Sequence, residues 1–338
     1  IKGLVSIYEW GDISDPGISD MDFIFVFKEK KADSMPFFKR GFYMLNHERR
    51  YTARHPFFYI DMPSFRDMRY IYPEATFKLL YGRDIKIKNI SSKDFYFSNI
   101  ALLNDIIIRH YPRDFLEQSL KRSINVRDTL LRLNSLKYSV RTLEMLTKEK
   151  TKWNSKLKKI AFLRKKWLRE NDFESLISCV NDATDITMGL ISRFRNFLAK
   201  NNFVNIKSCS YAEYKDKKNC TLFVKNWTPE NALKVMKDYG SRKDFCSVLP
   251  IELAPQQIEY SKYEGMVSNY IKTHLKTDIK YELGYKKIAG KRAAILNSQA
   301  ELAACLKHSD FAAFFDFGYR NRHGINNAVF GVIRDLRN

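Results

Sequence analysis

Long apolar runs are absent from this sequence of 338 residues. Its apolar runs, such as residues 23–27 and 106–108, fall far short of the roughly 20 residues that a membrane-spanning helix needs. No basic segment followed by an apolar one opens this sequence, as a signal peptide would. Its five cysteines are odd in number and lie at no spacing typical of a metal site or disulfide framework. These absences predict no transmembrane segment, reduced thiols and a cytoplasmic location.

Negative charge is scarce relative to positive charge. The chain carries 59 Lys and Arg against 38 Asp and Glu, a net charge of +21. Residues 137–169 contain twelve of the basic residues, opposed only by Glu144 and Glu149. This distribution predicts an anionic partner, such as RNA, a phosphorylated glycan or an anionic membrane surface. A solvated helix face without a partner would give the same pattern.

Glycine and proline are nearly absent between residues 97 and 200, where Pro112 stands alone and the first glycine is Gly189. This composition predicts a helical region. Trp153, Leu157 and Ile160 continue at helical spacing to Trp167, with lysines on the remaining faces, which indicates a basic amphipathic helix. Asn171 and Asp172 predict a break and an N-cap before the next helix.

The rest of the chain has mixed character, and with 45% hydrophobic residues it can form packed cores. Strands are predicted at residues 3–8, 22–28, 55–62 and 84–90, with a helix at 33–50. A strand at 221–225, a helix starting at Thr228-Pro229-Glu230 and helices at 255–274 and 298–307 are predicted further on. The aromatic cluster at 311–319 is interpreted as core. The predicted class is α+β: an N-terminal mixed sheet with helices (1–96), a mainly helical region (97–200) and a mainly helical α/β region that offers acceptor binding (201–338).

One segment carries residues typical of catalysis. After a strand ending at Gly11, a turn with Pro16-Gly17 leads to Asp20-Met21-Asp22 at the start of the next strand. Residues i and i+2 of a strand point to the same side, so Asp20 and Asp22 are expected to present two carboxylates together. Paired carboxylate oxygens suit Mg²⁺, and Mn²⁺ is the alternative. Asp61 lies in an apolar run, where a carboxylate is costly unless it is paired or bound to metal. We therefore expect it beside the pair on a neighbouring strand.

These residues resemble the nucleotidyltransferase superfamily, whose polymerase-β-like fold has a Gly-Ser pair, a spacer of about ten residues, Asp-x-Asp and a later third Asp. Gly11, Asp20, Asp22 and Asp61 match that pattern, and residues 79–85 resemble the turn into the last strand of its minimal members. The resemblance covers residues 1 to about 95. It implies a nucleotidyltransferase-like mixed sheet and transfer of a nucleoside monophosphate from a nucleoside triphosphate to a hydroxyl acceptor, with release of pyrophosphate.

The resemblance also implies roles for individual residues. Asp20, Asp22 and Asp61 would be the catalytic and metal-binding carboxylates, holding two Mg²⁺ ions. Nucleotide-binding candidates lie between the first two predicted strands, just before the strand predicted at 84–90, and in the helical region. They are Gly11, Asp12, Ser14, Ser19, Arg83, Lys137, Tyr138 and Arg141. The resemblance does not identify the acceptor, and the basic charge of the chain is compatible with a polyanionic one, such as RNA or a phosphorylated glycan.

Asp12 departs from the family pattern, because it stands where the family has serine. A carboxylate there repels a triphosphate unless it points away or binds metal, and Ser14 or Ser19 would then supply the missing hydroxyl. The departure leaves an alternative: a catalytically inactive protein of the same fold that binds RNA or another polyanion.

Overall fold

The computed structural model describes residues 2–11, 15, 17–29, 48, 57–121, 124–201, 203–206, 211–215, 219–240, 245–265, 272–273, 279–305 and 312–316. They divide into two compact units. Unit 1 comprises the described residues of 1–90 with those of 294–338, and unit 2 those of 91–293. Helices and strands occur in both units, so the predicted α+β class is confirmed.

A four-stranded mixed sheet forms the centre of unit 1. Its strands are β1 (Leu4–Trp10), β2 (Asp22–Phe27), β3 (Phe58–Asp61) and β4 (Phe77–Gly82). The spatial order is β3-β2-β1-β4. β1 is antiparallel to β2 and β4, whereas β2 and β3 are parallel. β3 is buried along its whole length and β2 from Ile24 onward, which explains their uninterrupted apolar sequences.

The strands predicted at residues 3–8 and 22–28 are confirmed as β1 and β2, and the prediction at 55–62 contains β3. The strand predicted at 84–90 is wrong, because residues 83–90 form none and β4 lies earlier. The turn expected at 79–85 is likewise wrong over residues 79–82, which belong to β4. The position of β4 is set by its pairing with β1, which is distant in the sequence, so the composition of residues 77–90 did not reveal it. The helix predicted at 33–50 lies almost entirely outside the described residues.

Gly82 allows β4 to pack closely against β1. Its φ is +85°, and a Cβ added there would lie 2.0 Å from the backbone oxygen of Val5. Only glycine fits such an approach.

Residues from near the C-terminal end of the described chain pack against β3 of this sheet. Phe314 stacks on Phe58 with ring centroids 5.1 Å apart, and its N–H donates to Gln299 Oε1 at 3.2 Å. Gln299 in turn donates to the backbone oxygen of Tyr59 at 3.2 Å. Phe314 and Phe315 are buried, which confirms the core interpretation for these two residues. Phe311, Phe317 and Tyr319 lie outside the described residues.

Helices dominate unit 2, and a short helix follows β3 in unit 1. The helices are α1 (Met62–Arg66), α2 (Ser92–Arg109), α3 (Gln118–Lys121), α4 (Val126–Leu133), α5 (Leu136–Thr147), α6 (Asn154–Glu170), α7 (Phe173–Lys200), α8 (Pro229–Gly240), α9 (Ala254–Ser261) and α10 (Leu283–Cys305). The chain passes from unit 2 back to unit 1 within α10. The predicted helical region is confirmed by α2 to α7.

Local capping signals predicted several helix ends correctly. Asn171 ends α6 in the left-handed conformation, with φ 47°, and Asp172 accepts a hydrogen bond from Ser175 N at 2.9 Å to start α7. Thr228 Oγ1 accepts from Asn231 N at 3.2 Å at the start of α8. The helix predicted at 255–274 is wrong in length, because α9 ends at Ser261 and Lys272–Thr273 is a strand.

Two further sheets lie in unit 2. Their strands are β5 (Val204–Ile206), β6 (Tyr211–Lys215), β7 (Asn219–Val224), β8 (Phe245–Pro250), β9 (Lys272–Thr273) and β10 (Ile279–Tyr281). β5 pairs with β10, and the other four form a sheet of order β8-β7-β6-β9. In this second four-stranded sheet β6 is antiparallel to β7 and β9, while β7 and β8 are parallel.

No helix within the described part of the chain combines the length and apolar composition needed to cross a lipid bilayer.

Candidate functional site

The predicted carboxylate pair lies at the entry to β2. Asp22 is the first residue of that strand and pairs with Trp10, the last residue of β1, while Asp20 precedes it by two residues. Both aspartates are half-buried. Gly11 follows Trp10 with φ +97°, and a Cβ added there would lie 3.9 Å from Asp22 Oδ2. The structure therefore brings Gly11 and the carboxylate of Asp22 together at one end of the sheet.

The turn before the pair is held by its own hydrogen bonds. The N–H groups of Ile18 and Ser19 donate to Asp15 O at 3.0 and 2.9 Å, and Asp15 N donates to Ser19 Oγ at 3.3 Å. Ser19 therefore helps to form the turn, and its hydroxyl keeps a proton to donate. Burial of Ile18, which is 2% exposed, anchors this turn on the core.

Asp61 does not lie beside Asp20 and Asp22, so this part of the predicted site is corrected by the geometry. The parallel register sets Asp61 opposite Phe27, five residues along β2 from Asp22. Five residues of strand span about 16 Å, and an odd separation directs the two carboxylates to opposite faces. The sequence spacing left room for a return strand but did not fix its register.

The carboxylate of Asp61 has structural partners instead. It is 2% exposed, and its Oδ1 caps α1 by accepting from Ser64 N at 2.7 Å. Its Oδ2 accepts a hydrogen bond from the hydroxyl of Ser298. These two hydrogen bonds satisfy the buried carboxylate without metal. A carboxylate in an apolar run was expected to be either paired or bound to metal, and the structure shows the paired case.

Arg83 belongs to the same end of the sheet as Asp61. It follows Gly82, which pairs with Ser6 near the start of β1, and its guanidinium lies 3.7 Å from the sulfur of Met62. Four residues of β1 separate Ser6 from Trp10, so Arg83 is about 13 Å along the strand from the level of Asp22. The structure does not bring Arg83 to the carboxylate pair.

The remaining nucleotide-binding candidates fall into two groups. Asp12 and Ser14 lie outside the described residues. Lys137, Tyr138 and Arg141 lie on α5 of unit 2 and are exposed, with Lys137 Nζ 4.8 Å from the centroid of the Tyr138 ring. Their contribution to nucleotide binding stays a prediction.

The described residues fit a divalent metal in part. Asp20 and Asp22 would provide two hard carboxylate ligands, the number that Mg²⁺ commonly takes from protein when substrate phosphates and water complete its shell. No cluster of three or more His, Cys, Asp or Glu that could hold a metal ion occurs within the described ranges.

The basic helix is confirmed as amphipathic. Ile160, Leu163 and Trp167 form the buried face of α6. Lys156 and Lys159 face α7, where they bind Asp185 and Asp182 at 2.7 and 2.8 Å. These hydrogen bonds to carboxylates raise the pKa of both lysines. Part of the predicted positive charge is therefore neutralised within the protein.

A buried polar network in unit 2 was missed by sequence reasoning. Arg292 and Asp105 are fully buried and form an ion pair of 2.7 Å, and Tyr260 OH donates to the same carboxylate oxygen at 2.9 Å. Burial raises the pKa of the Tyr260 phenol. A sequence signal was present: Asn104-Asp105 interrupts the apolar residues of a helix, as Asp61 interrupts the apolar run at 57–62. The network joins α2, α9 and α10, so its role is structural.

Thiol chemistry has little support among the described cysteines. Cys179 is buried within α7, and burial raises the pKa of its thiol to about 11. A protonated, inaccessible thiol is a poor nucleophile. Cys305 is exposed at the end of α10 and forms no disulfide.

Comparison of the chain with protein-family models, with curated proteins and with solved structures gave no match.

Proposed function

We propose that this chain is a Mg²⁺-dependent nucleotidyltransferase that transfers a nucleoside monophosphate from a nucleoside triphosphate to a hydroxyl acceptor and releases pyrophosphate. The observation that supports the proposal is the carboxylate of Asp22 at the entry to β2, beside Gly11 and two residues after Asp20. In the proposal, unit 1 has a nucleotidyltransferase-like fold.

Asp20 and Asp22 are the proposed metal-binding and catalytic carboxylates. Bound Mg²⁺ supplies charge neutralisation of the triphosphate and activation of the acceptor hydroxyl. Gly11 has no side chain, so a phosphate can approach the backbone beside Asp22. The turn at 15–19 positions the pair, and the Ser19 hydroxyl is available to donate to a phosphate oxygen. Asp61 takes no part, because the strand register separates it from the pair.

The proposal is tested by Mg²⁺-dependent triphosphate binding, measured as a shift in melting temperature with each of the four ribonucleoside triphosphates. A ligand that binds only the folded state raises stability by mass action. Asp20→Asn with Asp22→Asn is expected to abolish the shift. The matched control is Glu29→Gln with Glu74→Gln, which removes two exposed carboxylates from the same unit. An undiminished shift in the aspartate double variant would refute the proposed site.

A second candidate function is a nonenzymatic protein of the same fold that binds RNA or another polyanion. Asp61 favours it, since the acid expected to complete a two-metal site instead caps α1 and binds Ser298. Under this candidate, wild type binds polyanions and shows no Mg²⁺-dependent response to any triphosphate. Label transfer from a radioactive triphosphate to a component of a cell extract would exclude it.

A further inference from the structure

The outward face of α6 differs from the face that contacts α7. Lys158, Lys165 and Arg169 are exposed and follow one another with Phe162 at i, i+4, i+7 and i+11, the spacing of a single helical face. We call these four residues the outer stripe.

The cations of the outer stripe have no partners within the described residues. Lys156 and Lys159, on the side of α6 that faces α7, form ion pairs with Asp185 and Asp182. Lys158, Lys165 and Arg169 take part in no ion pair or hydrogen bond of the described chain. The same helix thus neutralises its inward lysines and leaves three outward cations available to a partner.

The length of the stripe selects an extended partner. Eleven residues separate Lys158 from Arg169, which corresponds to about 16 Å along a helix. A single phosphate cannot contact cations at both ends of such a span. A polymer with regularly repeated negative charges can contact all three.

Phe162 places an exposed aromatic ring among these cations, and binding of phosphate groups alone would not require such a ring. Its side chain is 61% exposed in the middle of the stripe, and Lys166 Nζ lies 4.5 Å from its ring centroid. Lys166 is paired with Glu170 at 2.8 Å, which helps to hold the cation beside the ring. A solvent-facing aromatic ring between cations is the combination on which single-stranded bases stack while the backbone meets positive charge.

A membrane surface fits this helix less well. An interfacial helix turns its apolar face toward lipid. In α6 that face, formed by Ile160, Leu163 and Trp167, is buried inside the protein. The outer stripe offers lipid only one ring among its cations.

We infer that the outer stripe of α6 binds single-stranded nucleic acid, with Lys158, Lys165 and Arg169 at phosphates and Phe162 stacked on a base. This surface deepens the second candidate function, and it is equally compatible with a nucleotidyltransferase. Its test does not involve Asp20 or Asp22, so its failure and the failure of triphosphate binding are separate results.

The test measures binding of fluorescein-labelled oligouridylate and oligothymidylate to the full chain. Fluorescence anisotropy gives the binding constant K at each salt concentration of a series. Lys158→Gln with Lys165→Gln and Arg169→Gln should weaken binding about tenfold at low salt. It should also lower the slope of log K against log salt by about 2, because each single-strand contact contributes about 0.7. The matched control removes three exposed lysines from another part of unit 2: Lys225→Gln, Lys234→Gln and Lys237→Gln.

The aromatic contact is tested separately. Phe162→Ala should weaken binding about fivefold or more, as expected for loss of one stacked base, and Phe162→Trp should preserve it. Tyr81→Ala serves as control, since Tyr81 is also exposed, at 62%, but lies on β4 of unit 1. An unchanged salt slope in the triple variant, or full binding by Phe162→Ala, overturns the inference. So does stripe-dependent binding to phosphatidylserine vesicles without binding to either oligonucleotide.

Discussion

The two four-stranded sheets of this chain share one topology but differ in the chemistry at their strand ends. The orders β3-β2-β1-β4 and β8-β7-β6-β9 correspond strand for strand, with the same parallel and antiparallel pairings. Asp22 opens β2 after Asp20, whereas β7 opens at Asn219 after Lys217 in the sequence. The shared arrangement shows that the acids at the entry to β2 are a local feature of the first sheet and do not follow from its topology.

The two sheets also differ at the junction between a strand and the helical segment that follows it. β3 ends at Asp61 and β8 ends at Pro250, and each is followed at once by a helical segment. Asp61 caps its helix with its side chain, while Pro250 makes no side-chain cap. The carboxylate at this junction is therefore a stabilising feature of the first sheet, and metal is not required to explain it.

The largest loss of stability in the first sheet is expected for Gly82→Ala. A Cβ would lie 2.0 Å from Val5 O in a left-handed backbone conformation, so β4 must move away from β1. We expect a loss of about 4 kcal/mol in unfolding free energy, measured by urea denaturation. Gly11→Ala is the control: its φ is also positive, but the Cβ would meet only Asp22 Oδ2 at 3.9 Å. That substitution should cost about 1 kcal/mol, and equal losses would contradict the close approach at Gly82.

Next in size is Asp61→Ala. It removes the cap of α1 and leaves the buried hydroxyl of Ser298 without its acceptor, for an expected loss of about 2 to 4 kcal/mol. Asp61→Asn keeps a capping oxygen and should lose less. Both variants should retain any Mg²⁺-dependent triphosphate shift shown by wild type. Loss of that shift with unchanged stability would place Asp61 in the site after all.

Local signals in the sequence predicted the parts of this comparison that depend on neighbouring residues. Asp172 and Thr228 were recognisable as caps because each bonds a backbone N–H three residues away. The β1–β2 pair was predictable because two short runs rich in strand-forming residues stand on either side of a glycine-containing turn.

Long-range pairing was not predictable from the same signals. The register of β3 against β2 decides that Asp61 lies opposite Phe27, and nothing near Asp61 in the sequence encodes that choice. β4 was misplaced for the same reason. The second four-stranded sheet was largely missed, because its strands are short and β8 and β9 are distant in the sequence from the strands with which they pair. Only residues 221–225 were predicted as a strand.

A smaller effect is expected in the second sheet from Trp227→Phe. Trp227 is buried after β7, and its Nε1 donates to Val248 O on β8 at 2.9 Å. Phenylalanine keeps much of the packing but leaves that carbonyl without the indole donor, which should cost about 1 to 2 kcal/mol. Urea denaturation measures the loss. An oligonucleotide-binding assay should show no change, since the outer stripe lies on α6, and a change there would mean that the second sheet contributes to binding.

The smallest effect concerns Tyr8 of the first sheet and depends on pH. Its buried hydroxyl accepts from Ile85 N at 2.6 Å and donates to Asp84 Oδ1 at 3.0 Å. Tyr8→Phe should therefore cost about 1 kcal/mol at neutral pH. Burial raises the pKa of Tyr8 above its ordinary value.

The folded state consequently holds the Tyr8 proton more tightly than the unfolded state does. This contribution to stability is fully present below the unfolded pKa of about 10 and is lost as pH rises through the folded pKa. Wild type should thus lose more unfolding free energy than Tyr8→Phe between about pH 8 and about pH 11 in parallel urea titrations. Other tyrosines titrate in both proteins, so only the difference between the two reports on Tyr8. Equal losses would show that its phenol ionises as freely in the folded sheet as in the unfolded chain.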